Sequence, residues 1–148
     1  MLIGDRPPDA SGSRHRVFRV SVALGLTRPL VVRTTLVDDP CDLLARLPET
    51  TSYAWIRHGE GLVGWGEAAR VAVPPGTGRF DWARAWLSAT FGDAHVDDDV
   101  GAPGSGPVAF GSFTFDPEAY GSVLVVPRVV LARRDGRAWL TTVGEERL

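Results

Sequence analysis

The chain has no lysine, asparagine or glutamine, so all sixteen of its basic side chains are arginines. Without lysine the polypeptide can supply no Schiff base, no lysine general base and no Walker-type phosphate lysine. Codon bias in a GC-rich bacterial genome accounts for the skew without invoking function. The single cysteine, Cys41, excludes an internal disulfide framework and any multi-cysteine zinc or iron–sulfur site. No apolar run approaches the roughly 18–20 residues of a membrane span. The opening MLIGDRPPDASGSRHR holds acids and two prolines and no apolar centre, so it does not read as a secretory signal. Sixteen basic against eighteen acidic side chains leave a net charge of -2, which argues against a nucleic-acid binder built on phosphate contacts and against a polybasic membrane surface. A cytoplasmic location is the expectation.

What is present suits one folded unit. Hydrophobic residues make up 44% of 148 positions and charged residues 23%, enough apolar material for a core and too little charge for compositional disorder. Residues 1–15 read as a loose polar tail, and residues 16–148 as one folded portion. Val17–Leu24 is rich in β-branched residues and reads as a strand; a turn over Gly25–Pro29 leads to a second, Leu30–Val37. Asp39-Pro40 reads as a helix start, with Asp39 as cap and Pro40 in the first turn. That short helix carries Leu43, Leu44 and Leu47 and stops before Pro48.

Tyr53–His58 reads as a strand, with Gly59-Glu60-Gly61 as its turn. Val63, Trp65, Glu67, Ala69, Val71 and Val73 then alternate with period two, so the run reads as one strand with a single inner face. Arg79–Phe91 has the clearest helical spacing, with Phe80, Ala83, Trp86, Leu87 and Phe91 near one side and Gly92 as a stop. Residues 93–107 read as irregular. Strand-like runs follow at Val108–Phe115, Ser122–Val126, Arg128–Arg134 and Arg137–Val143, the last two joined by the hairpin signal Asp135-Gly136. The pattern ββα–ββα–ββββ predicts an α+β fold with a mostly antiparallel sheet and two helices. With no helix after the last hairpin, a long sheet edge or an open apolar face is expected, as if the chain were the first part of something longer.

Each chemical motif has a plainer reading. Gly59-Glu60-Gly61-Leu62-Val63-Gly64 matches the dinucleotide pattern G-x-G-x-x-G, but that pattern needs a helix after it. Here a strand follows, so a hairpin turn with a bulge is the better reading. His58 and Glu60 suggest metal ligation or acid–base work, and a three-histidine site would need His15 and His95 to join His58. Asp97-Asp98-Asp99 has the chemistry of a magnesium site but more commonly forms a solvated acidic loop. Cys41 at a helix start is read as an inert, partly buried thiol. The five tryptophans, with no basic stripe interleaved, read as core. No G-x-S-x-G elbow is present. No residue is assigned as catalytic, cofactor-binding or metal-ligating.

Two stretches carry a resemblance. Tyr53-Ala54-Trp55-Ile56-Arg57-His58-Gly59-Glu60-Gly61-Leu62-Val63-Gly64-Trp65-Gly66-Glu67 resembles the N-terminal region of bacterial isochorismate synthases. So do Val108-Ala109-Phe110-Gly111-Ser112-Phe113-Thr114-Phe115-Asp116-Pro117 and Gly121-Ser122-Val123-Leu124-Val125-Val126-Pro127. The resemblance runs from about residue 17 onward. It implies the chorismate-utilising enzymes, which include anthranilate, aminodeoxychorismate and salicylate synthases, and the N-terminal part of their layered α/β sandwich.

In that family magnesium holds the substrate carboxylate, a lysine activates water and a glutamate protonates the departing hydroxyl, all in the C-terminal chorismate-binding half. The lysine and the magnesium-binding glutamates have no counterpart here. The resemblance therefore implies a supporting front section, inactive alone, from a route to menaquinone or siderophores, with chorismate as the family's substrate. Its partner would be the missing half as a separate chain. Magnesium is implied for the full-length family enzyme, and no cofactor for this chain alone. Gly111, Gly121, Asp116-Pro117 and the phenylalanines Phe110, Phe113 and Phe115 would serve as scaffold. The competing readings are a sheet-pairing interaction module and a small hydrolase using His58 or His95.

Overall fold

A computed structural model describes residues 28–145. The expected tail over residues 1–15, the strand Val17–Leu24 and most of the following turn lie outside that range. The described chain is α+β. Nine strands and one α-helix follow in order: β1 Leu30–Val37, β2 Ser52–Arg57, β3 Glu60–Trp65, β4 Ala69–Ala72, α1 Arg79–Gly92, β5 His95–Asp98, β6 Phe110–Ser112, β7 Val123–Val126, β8 Val129–Arg134 and β9 Arg137–Glu145. A six-stranded sheet runs β2-β3-β8-β9-β1-β5 and a three-stranded sheet runs β4-β7-β6. Every pairing is antiparallel except β1 with β5.

The second expected helix does not form. Its segment holds only a three-residue 3-10 turn, Leu44–Arg46. Asp39 spends its carboxylate on the amide of Cys41 at 2.9 Å and on Arg133, while Cys41 takes a left-handed φ of 62°. Asp42 does the local capping, accepting from Leu44 N at 3.0 Å and Ala45 N at 3.3 Å. Short acidic side chains that bond nearby amides compete with the helical ladder, and Pro48 leaves no room to propagate one. Cys41 is exposed, not partly buried.

The long alternating run is two strands. Between β3–β4 and β7–β8 the chain forms one kinked ribbon, bridged by Arg128 N to Trp65 O at 3.1 Å and Ala68 N to Val126 O at 2.8 Å. Gly66, Glu67 and Ala68 there oppose only Pro127 and Arg128, and Gly66 sits at φ 69°. One extra residue inverts the alternation. Val63 and Trp65 consequently join a different core from Ala69, Val71 and Val73.

Helix α1 forms as expected and buries Ala83, Trp86 and Thr90; Phe80 stays half exposed, its ring 4.9 Å from that of Phe113. Trp86 is packed among Leu30, Val32, Val71, Leu124, Val126 and Val143. On the opposite face of the larger sheet, Leu43 and Leu47 from the 38–51 segment cover Val63, Leu131, Ile56, Trp65 and Leu140. The expected exposed edge at the last hairpin is not found: β9 is paired on both sides, by β8 and β1. Among the described residues the edges of this sheet are β2 and β5.

Candidate functional site

Two hairpins end side by side on the larger sheet. Their turns, His58-Gly59 and Asp135-Gly136, have positive φ at both central residues (54° and 78°, 52° and 74°). This is the two-residue turn geometry that matches strand twist. The turn is therefore His58-Gly59, with Glu60 and Gly61 already in β3, and the register from Arg57↔Glu60 to Ser52↔Trp65 runs with no bulge. Gly61 is required where it stands. It sits at φ 140°, and a Cβ there would lie 2.0 Å from Trp55 O.

Register fixes which side chains share a face. Trp55, Leu62, Ala132 and Trp139 make one cross-strand row from β2 to β9. Beyond it, at the turn ends, stand Arg57 with Glu60 and Arg134 with Arg137. The next row inward contains Thr141, Thr34 and Asp98. The loop 99–107 lies on these rows and is latched to them. Trp139 Nε1 donates to Gly104 O at 3.3 Å, Gly106 N to Thr34 Oγ1 at 3.1 Å, and Ser105 Oγ to Asp98 Oδ2 at 2.6 Å. Gly104, at φ 89°, lets the loop close onto Leu62.

Between the loop and the hairpin ends lies a cleft of about 550 Å³. Trp55, Leu62, Pro103, Gly104 and Trp139 form its apolar surface, and Arg57, His58, Glu60, Arg133 and Arg134 its polar rim. Trp139 is 1% exposed and Trp55 is 68% exposed. Glu60 Oε1 accepts the amide of Asp135 at 3.0 Å, tying the two turns together. Arg133 donates from Nε to Asp39 at 2.7 Å and from Nη1 to Gly59 O at 3.4 Å. The hydrogen bond between them holds the Asp39 carboxyl below, and the Arg133 guanidinium above, its ordinary range. Arg134 approaches Asp135 at 3.6 Å, and Arg57 has no ion-pair partner among the described residues.

The other candidates are scattered. His58 and His95 stand on β2's turn and on β5, the opposite edges of the sheet, so a three-histidine site cannot assemble from them; His15 lies outside the described residues. Five strand spacings separate those edges, about 24 Å. The acidic run is absorbed locally. Asp97 and Asp99 face Arg33. Asp98 bonds Ser105, Val100 N at 2.9 Å and Gly101 N at 3.1 Å. Burial raises the Asp98 carboxyl, and these three hydrogen bonds outweigh it and hold the group below its ordinary range. Among the described residues no three His, Cys, Asp or Glu side chains gather as a metal site. No helix there is long and apolar enough to cross a membrane.

Sequence reasoning missed Arg57, Arg134, Trp55 and Trp139 as a group. The usable signal was Arg-His-Gly-Glu and Arg-Asp-Gly-Arg, two tight turns each preceded by arginine. No protein family, curated protein or solved structure matches this chain.

Proposed function

We propose that this chain is the supporting front section of an isochorismate synthase-like, chorismate-utilising enzyme, inactive alone, whose lysine-bearing half packs against it. The observation that carries this reading is the presentation of Phe115, inside one of the segments that resemble the family, and of Tyr120, in the loop that joins it to the next; both are almost wholly exposed. Their loop is firmly held. Thr114 N bonds Ser122 Oγ at 3.0 Å, Glu118 N bonds Asp116 Oδ1 at 2.9 Å, Gly76 N bonds Pro117 O at 2.7 Å, and Arg79 Nη1 bonds Thr114 O at 2.7 Å. Two large apolar side chains fixed in water by an ordered loop fit a surface made to be covered.

The chemistry agrees. The family's water-activating lysine has no counterpart in a chain without lysine. The resembling stretches build β2, β3, β6 and β7, framework strands that would position a second layer, in keeping with the layered sandwich of that family. In the complete enzyme the other half would contribute magnesium binding, and this chain would contribute scaffold.

Purified chain given chorismate and magnesium is expected to show no turnover. Adding the chorismate-binding half of an isochorismate synthase is expected to produce it. Turnover by the chain alone would overturn the proposal.

A second reading, a module that pairs with another chain through a sheet edge, is favoured by β2. Among the described residues this is an edge strand, six residues long, with Ala54 and Trp55 exposed. A proline at Ala54 would abolish such pairing and leave association through Phe115 and Tyr120 intact.

A further inference from the structure

We infer that the cleft between the two hairpin ends is a binding site for a small organic anion: a flat apolar ring bearing a carboxylate and no ammonium group. The inference is independent of the chorismate reading and rests on the cleft alone.

The volume, about 550 Å³, falls within the roughly 300–1,000 Å³ of small-molecule sites. The floor is apolar, with the Trp55 and Trp139 side chains on one face of the sheet and Leu62 between them. A flat ring laid against the exposed Trp55 gains both apolar burial and stacking, while Trp139, fully buried, backs the floor. The mouth is cationic: Arg57 and Arg134 reach it from β2 and β8.

Of the three arginines that line the cleft, Arg57 alone has no ion pair with a described residue. Arg33 is neutralised by Asp97, Arg70 by Glu67 at 2.8 Å, and Arg133 by Asp39. Arg57 lies opposite Glu60, the natural cross-strand partner, yet that carboxylate is turned to the backbone amide of Asp135. Among the described residues nothing occupies the guanidinium's donors, and they stand beside an apolar floor, the arrangement suited to forked recognition of a carboxylate. Glu60 keeps its charge while it accepts that amide, but Arg57 and Arg134 outnumber it at the mouth, so an ammonium group is disfavoured there.

The site is also preformed. The tight turns, the Glu60–Asp135 bond and the Trp139–Gly104 bond fix its walls before any ligand arrives. A nucleic acid would need a run of cations along an open surface, and this mouth holds only a few around a concavity.

The test titrates the full chain with 2-naphthoate, and separately with uncharged 2-naphthol, following tryptophan indole N–H signals by NMR. Saturable shifts are expected at Trp55 and Trp139, with naphthol at least about tenfold weaker. Arg57→Gln is expected to weaken naphthoate about tenfold and leave naphthol unchanged, and Arg57→Lys to restore part of the loss. Trp55→Ala is expected to weaken both. The undisturbed indole signals of Trp65, Trp82 and Trp86 report that each variant remains folded. Equal binding of the two probes, a response confined to other tryptophans, no effect of Arg57→Gln, or no saturable binding would each overturn the inference.

Discussion

The two faces of the six-stranded sheet are closed by different means. One face is sealed by α1 and the smaller sheet around Trp86, with ten buried apolar residues in one cluster. The other is covered by a loop that contributes Leu43 and Leu47 to a cluster with, among the described residues, three buried members. A helix brings a continuous apolar stripe, whereas a loop must satisfy its own backbone and offers only the side chains its turns permit. The helix-covered face should therefore carry most of the stability.

The largest effect is expected where that comparison is sharpest. Trp86→Ala should cost about 3–5 kcal/mol, and Leu43→Ala, at the thinner cover, about 2–3 kcal/mol, both read from urea midpoints. A greater loss at Leu43 would break the comparison. Gly61→Ala follows, at about 2 kcal/mol, because it forces a Cβ into the Trp55 carbonyl at a left-handed φ. Replacement with serine should be equally poorly tolerated, which separates backbone strain from polarity. Thr34→Val removes a hydroxyl that meets Thr141 Oγ1 at 2.7 Å and accepts from Gly106 N, both inside the sheet. A loss of about 1–2 kcal/mol is expected, with faster amide exchange over 99–107.

The smallest effect is on pH. The Asp98 carboxyl is lowered when folded, so its contribution is complete above the ordinary aspartate value of 3.8 and fades as pH falls through the lower folded value. Loop 99–107 should loosen in acid in the wild type. An Asp98→Asn variant should show a loop already looser at neutral pH and a flatter acid response, measured by hydrogen exchange.

Local signals in the sequence foretold the local features. Asp135-Gly136 specified its turn, and the spacing of Ala83, Trp86 and Leu87 specified α1. Features made by competition or by distant pairing did not show. The helix over residues 40–47 lost to Asp39 and Asp42 bonding adjacent amides. His95–Asp98, acidic and unlike a strand, is drawn into one by parallel pairing with β1. The single extra residue at Gly66–Ala68 split one alternating run between two cores. The cleft was hidden for the same reason: its floor is a row across four strands, and that row exists only once the two hairpins have paired through β3 and β8.

The reading of the chain as a supporting section turns on whether Phe115 and Tyr120 are an interface. Isothermal titration of this chain with the chorismate-binding half of an isochorismate synthase tests it most directly. Saturable one-to-one binding is expected, abolished by Phe115→Ser with Tyr120→Ser, while the chain's own stability, read from its urea midpoint, changes by no more than about 0.5 kcal/mol. No saturable heat, or binding indifferent to both substitutions, would contradict it.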